Sequence, residues 1–329
     1  MMFYALAVCV CLAVLFLVLA CVWVVGWILR GKVAALLRFR APAAANVLFA
    51  ARILPCFLAF SVTLGLVLPA FLKFEPSSTS EVIGAKLLLL AAAGAVILMV
   101  VAIRGARVLS ATAGAEKRWR AGCEERWVSI GGSRVPLHYV NGPPALLAVT
   151  GFFRPRLFVS NEVAQMLSAD EMSAALAHEM AHARFYDNLK RFLLYVSRPP
   201  RWPAGGAFLE DAAWADAAEI AADESALAGG ASALDLAAAL VKIGTLSRYC
   251  AAADGVAASH LIPGHGSVLE MRIARLQKAL EGESPGSETN SSRQLWPVLG
   301  AIVLPVAAYV VVISTLLPAI HEALEILVR

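Results

Sequence analysis

Residues 3–29 are almost wholly apolar and carry no charged side chain before Arg30. That length exceeds the roughly 20 residues a helix needs to cross the hydrocarbon layer, and the apolar core of a signal peptide is shorter. Further apolar runs cover residues 53–72, 82–103 and 296–320. Pro55 and Pro69 lie inside the second of these, where a membrane helix tolerates proline better than a soluble one does. Lys86, near the start of the third, can extend its amine to the interface. The pattern predicts four membrane spans, the first retained rather than cleaved.

Between the third and fourth runs the period changes. Residues 104–125 read as a helical extension of the third span. Short alternating segments at 127–130, 135–140, 146–150 and 157–159 read as strands, with Gly131-Gly132 and Asn141-Gly142-Pro143-Pro144 as turns. A short helix is expected over 161–167. Ser168 and Glu171 then form a capping-box pattern, which starts a helix expected to continue to Val196, before Pro199, Pro200 and Pro203. Further helices are expected over 207–228, ended by Gly229-Gly230, and over 233–250. The resulting organisation has three spans with short connections in residues 1–104 and a folded domain in 105–280. A tether rich in Ser, Glu and Gly follows in 281–295, then a fourth span in 296–320 and a short tail in 321–329.

Composition supports the spans. Hydrophobic residues make up 60% of the 329 and charged ones 16%, too apolar for an ordinary soluble protein. The net charge of +4 comes from arginines beside apolar segments, not from a basic stripe, so no direct nucleic-acid surface is expected. Arg30, Lys32, Arg38, Arg40 and Arg52 crowd the first connection, and Arg104, Arg107, Lys117, Arg118 and Arg120 follow the third run. The loop at 73–81 has one lysine. The positive-inside rule then puts the N-terminus outside and residues 104–295 in the cytoplasm. The six cysteines are scattered and form no C-x-x-C pair, so neither a disulfide framework nor a cysteine zinc site is indicated.

The chemistry concentrates at His178-Glu179-Met180-Ala181-His182. On a helix, residues i and i+4 share a face, so two imidazoles can bind one Zn²⁺ while Glu179 between them reaches a water there. Glu219 and Asp223, also i and i+4, lie on the next helix. Glu219 would complete a two-histidine, one-glutamate ligand set. Asp223 would accept a hydrogen bond from the free nitrogen of a ligating histidine. Asp187, Glu210, Asp211, Asp216 and Glu224 compete for these parts. Asp216 is the main rival as third ligand, with a shorter arm and no acidic partner four residues on. The alternative is a solvated acidic face beside ordinary helix histidines.

Three segments carry a resemblance. They are Gly151-Phe-Phe-Arg-Pro-Arg-Leu-Phe-Val-Ser160, Leu167-Ser-Ala-Asp-Glu-Met172, and His178 through Asn188, with Glu219-Ile-Ala-Ala-Asp223 as a second motif. Together they resemble the membrane zinc metallopeptidases of the beta-lactam receptor type (BlaR/MecR). The resemblance implies a multi-pass α-helical protein of four spans in a bacterial cytoplasmic membrane. Its gluzincin-type domain would be mainly α with a small sheet. It implies hydrolysis of a protein substrate, a transcriptional repressor or the chain itself, with Glu179 moving the proton. It further implies that Leu146, Leu147, Ala148 and Val149 form an edge strand for an extended substrate, although a plain core strand fits as well. His265, seven residues before Arg272, resembles the His…Arg element of HtpX-like membrane proteases and is a candidate catalytic donor, or else a loop histidine. The beta-lactam receptors carry a penicillin-binding sensor after the last span. This sequence runs only nine residues beyond 320, so beta-lactam acylation of the chain itself is not expected. Quality control of membrane proteins is the alternative use of the same chemistry. A non-catalytic receptor or scaffold is the alternative of another class, and an intact Glu179 argues against it.

Overall fold

The computed structural model describes residues 2–36, 41–76, 83–130, 133–141, 145–199, 207–254, 266–280 and 317–325. The described residues are mostly helical, with one four-stranded sheet among them, and the chain divides into two compact units. One comprises Met1–Val33, Ile53–Ile103 and Gly286–Arg329; the other comprises Ala34–Arg52 and Arg104–Pro285.

The long apolar helices lie wholly or in large part in the first unit. Helix α1 is Met2–Leu36 and α2 is Ala41–Val62. A π-helical turn, Thr63–Val67, joins α2 to α3, Leu68–Phe74, and α4 is Ala85–Arg120. Three stretches, Met2–Val25, Ala45–Phe74 and Ala85–Arg120, are long and apolar enough to cross a membrane. The second begins eight residues earlier than its apolar run suggested. Pro55 is accommodated inside α2, and Pro69 sits in the first turn of α3, where its missing N–H costs least. Helices α1 and α4 meet at bare backbone: a Cβ on Gly94 would lie 2.2 Å from the carbonyl oxygen of Leu12. Small residues at such crossings let helices gain contact where no hydrophobic effect drives them together. The fourth apolar run lies outside the described residues except for its last part. Residues 317–325 are helical and run past the end expected at 320, and Leu324 packs with Leu6, Val10, Phe71 and Leu87.

The second unit holds the sheet. Strands β1 (Glu124–Ile130), β2 (Ser133–Val140), β3 (Leu147–Thr150) and β4 (Arg156–Ser160) lie in the order β1-β2-β4-β3. The β2–β4 pair is parallel and the other two are antiparallel. Strand β1 starts three residues earlier than expected. Its polar Glu124 and Arg126 hid it from an apolar pattern, but an edge strand with exposed side chains needs no alternation. One face of the sheet buries Leu137, Val149, Leu157 and Val159 against Val163, Leu176 and Ala239. The other face places Val140, Leu146 and Phe158 beside Trp119. His138 is buried in β2, its Nδ1 3.2 Å from the Leu157 carbonyl, and has no place in the cluster described below.

Among the described residues, the helices after the sheet are α5 (Asn161–Met166), α6 (Ala169–Arg184), α7 (Asp187–Val196), α8 (Ala207–Ala228), α9 (Ala233–Asp254) and α10 (Gly266–Leu280). The single helix expected from Ser168 to Val196 is two. The break falls at Phe185 and Tyr186, and Tyr186 takes the left-handed conformation with φ 56°. No glycine or proline announces it. Few non-glycine residues adopt that conformation, and only tertiary contacts hold one there.

Candidate metal centre

Helix α6 starts at a complete capping box. Ser168 Oγ accepts from the Glu171 N–H at 3.2 Å, and Glu171 Oε2 accepts from the Ser168 N–H at 2.8 Å. Lys242 on α9 adds a 2.6 Å bond to the same carboxylate oxygen. The start of the helix sets the direction of everything that follows. Two turns on, His178 and His182 point inward, 5% and 8% exposed. Helix α8 packs against α6. Buried alanines on both helices, among them Ala174, Ala181, Ala218, Ala222 and Ala226, allow close approach, so Glu219 reaches the two rings.

The geometry is that of a chelating triangle. The Nε2 atoms of His178 and His182 are 3.2 Å apart. Glu219 Oε2 is 3.5 Å from His178 Nε2, and Oε1 is 3.6 Å from His182 Nε2. Tetrahedral ligands on bonds of about 2.0–2.1 Å sit roughly 3.3–3.4 Å apart, so these three donors need little adjustment to share one ion. His178, His182 and Glu219 form the one group among the described residues that could hold a metal, and Asp216 is not in it. Two imidazoles and a carboxylate suit zinc, with a position left open.

The outer nitrogens of both rings face carboxylates. His182 Nδ1 is 2.8 Å from Asp187 Oδ2. His178 Nδ1 is 2.9 Å from Asp223 Oδ1, as an ion-pair contact without an aligned hydrogen bond. The sequence placed Asp223 near a ligating ring but treated Asp187 only as a rival carboxylate. In an unbroken helix, Asp187 would lie about 140° round from His182. The left-handed Tyr186 redirects the chain so that the first residue of α7 turns back onto the ring.

Arg272 on α10 closes the cluster. Its Nε donates to Asp223 Oδ2 at 2.7 Å, its Nη2 to Asp223 Oδ1 at 2.7 Å, and its Nη1 to Glu219 Oε2 at 3.0 Å. Nη2 also lies 3.5 Å from His178 Nε2. The two imidazole Nε2 atoms thus face each other, the Glu219 carboxylate and the Arg272 guanidinium in one buried cluster. Burial works against charge on His182, but Asp187 and Glu219 outweigh it and push the ring up to about 10. Burial likewise opposes charge on His178, and Asp223 and Glu219 again prevail and raise it. Burial would raise Glu219, yet the two histidines hold it well below the usual carboxylate range. Asp223 is lowered against its burial by Arg272 and then His178. Arg272 was noted in the sequence only for its spacing from His265; long-range packing of Leu276 against Ala174, Ala226 and Leu236 brings α10 here.

Glu179 faces the sheet. Its Oε2 accepts from the Val149 N–H at 3.2 Å, and the Asn188 side chain donates to the Val149 carbonyl at 2.9 Å and to the Gly151 carbonyl at 3.4 Å. Gly151 has φ +88°, and a Cβ there would meet the Arg154 carbonyl oxygen at 2.5 Å, so only glycine fits this turn. Strand β3 is an edge of the sheet. Of the four residues expected to form it, Leu146 lies one before the strand, fully buried, with its carbonyl accepting from the Ser160 N–H at 2.8 Å. By the two-residue period, Ala148 turns its backbone groups to β4 as well, leaving Leu147 and Val149 on the open side. His265, His260 and the tether at 281–295 lie outside the described residues.

A model of the BlaR1 peptidase M56 family matches residues 70–274. The match covers well over half of the chain and takes in every residue of the cluster. No curated protein and no solved structure matches. The chain belongs to the BlaR1 peptidase M56 family, and with it to the metal-dependent peptidases of membranes, whose substrates are proteins or peptides.

Proposed function

We propose that this member of the M56 peptidases is an integral-membrane zinc endopeptidase. It cuts a transcriptional repressor, or itself, as a step in signal transduction at the bacterial cytoplasmic membrane. The observation that carries the reading is the triangle of His178, His182 and Glu219 beside Glu179 and an edge strand. His178 and His182 would hold zinc through Nε2, and Glu219 would hold it through its carboxylate. When bound, the metal supplies a Lewis acid that polarises the scissile carbonyl and makes water nucleophilic at neutral pH. Glu179 would take a proton from the attacking water and pass it to the leaving amide nitrogen. The Val149 N–H keeps the Glu179 carboxylate turned towards the strand between turnovers. Asp187 and Asp223 fix the orientation of the two rings through Nδ1. Leu147 offers its main-chain groups to an extended substrate, beside Val149, whose own groups are held by Glu179 and Asn188. His265 is the candidate donor to the oxyanion.

Four spans, the fourth being 296–320, suit a gluzincin domain in residues 105–280 that faces the cytoplasm, with the N-terminus outside. The clusters of arginine and lysine after the first and third apolar runs support this orientation. The test is Glu179→Gln in native membranes beside a candidate repressor encoded near this protein. The variant should keep its metal and lose cleavage of the repressor and of itself. Cleavage and response at the wild-type level would sink the reading.

A further inference from the structure

Arg272 touches both carboxylates of α8 and one of the two rings, yet catalysis by the metal and Glu179 leaves it without a task. It is 8% exposed and comes from a helix about 50 residues further along the chain. Two of its nitrogens hold both oxygens of Asp223, and the third holds a single oxygen, Oε2, of Glu219. The other oxygen, Oε1, carries no arginine at hydrogen-bond distance: it faces His182 Nε2 at 3.6 Å and the half-exposed Arg191 at 4.0 Å, while Oε2 also lies 3.5 Å from His178 Nε2. Glu219 and Asp223 are like charges one helical turn apart, both buried, and repulsion would turn them away from each other. A planar guanidinium spans both at fixed angles, as a lysine ammonium does not.

We propose that Arg272 is a positioning residue that sets how Glu219 meets the metal. It occupies Oε2 and withdraws charge from it, so Oε1 becomes the ligating atom and Glu219 binds through one oxygen. The same guanidinium holds Asp223 against His178 Nδ1. Helix α10 thereby controls metal retention and keeps open the coordination position that water and substrate need. This inference rests on the metal-peptidase reading.

The test uses the full-length protein in detergent, with Co²⁺ as the probe. Affinity is measured by chelator competition, and coordination by the visible absorption of the bound ion. Wild type should give the intense bands of a four-coordinate site. Arg272→Met should bind about 10–100-fold more weakly, the usual loss when an outer partner of a metal ligand is removed. Its bands should fade towards those of a five-coordinate ion as Glu219 becomes bidentate. Arg272→Lys should recover much of the affinity, since the charge remains, but not the wild-type spectrum. Thermal unfolding of the metal-free proteins separates this from loss of fold. If Arg272→Met does not fold, the spectrum of Arg272→Lys decides. Wild-type affinity and spectrum in folded Arg272→Met overturn the proposal. Tighter binding does too, since it would mean that the arginine acts only as a repelling charge. If wild type itself binds no cobalt, the metal-peptidase reading falls along with the inference.

Discussion

Asp187 Oδ2 lies 2.8 Å from His182 Nδ1, although only five residues separate the two and a continuous helix would point them apart. The left-handed Tyr186 makes the contact possible. Replacing Asp187 by alanine should lower metal affinity about 10–100-fold, because the ring loses the partner that fixes its tautomer and raises its basicity. Chelator competition on the purified protein measures this. Unchanged affinity would leave Asp187 as no more than an acidic residue in the first turn of α7.

Metal binding should release protons. In the metal-free site His182 keeps its proton up to about pH 10. Its folded value lies above the unfolded one. The stability it lends the metal-free protein is therefore complete below about pH 6.5 and is lost as pH rises through about 10. A cation must displace that proton, so metal affinity should rise about tenfold per pH unit across this window. Calorimetry in buffers of different ionisation enthalpy counts the protons released. Affinity that is flat with pH would contradict the protonated His182.

The capping box at the start of α6 gives an acid dependence of the opposite sign. Hydrogen bonding from Lys242, then from Ser168, lowers Glu171 below its ordinary value. Its stabilising contribution is present above the unfolded value near 4.5 and disappears as pH falls through the lowered folded value. Glu171→Gln should flatten the stability profile on the acid side, read from thermal unfolding between pH 3 and 7, a window of roughly the usual carboxylate range. Ser168→Ala should cost about 1 kcal/mol at neutral pH.

Asn188→Ala should free the Val149 and Gly151 carbonyls and loosen β3. The lost hydrogen bonds should cost about 1 kcal/mol in stability, and the Val149 amide should exchange faster by hydrogen exchange. Peptide cleavage should fall chiefly through a higher KM, as the strand that receives the substrate becomes less ordered. A lower kcat at constant KM would assign Asn188 to the chemical step instead.

The parts of this site that could be read from the sequence are those fixed by local periods. His178 with His182 and Glu219 with Asp223 each stand four residues apart, and the Ser168–Glu171 pattern placed the start of the helix. Asp187 escaped because the helix break depends on Tyr186, whose side chain carries no turn signal. Arg272 was visible as the arginine of the His…Arg element but without a role, because its partners lie 49 and 53 residues away and nothing local announces that α10 packs where it does. Strand β3 was recognisable, but which of its residues face outward depended on its pairing with Leu157 and Val159.

The order of the cluster along the chain has a consequence for biosynthesis. His182 and Glu219 emerge well before Arg272, which is 94 residues beyond His178. At roughly 5–20 residues per second, the ribosome needs about 5–20 s to cover that distance. During that interval the apolar helices α1–α4 are already made, while the ion pairs of Glu219 and Asp223 with Arg272 cannot yet exist. The cluster is closed from its C-terminal side, so translation itself delays its completion until well after helices α1–α4 have left the ribosome.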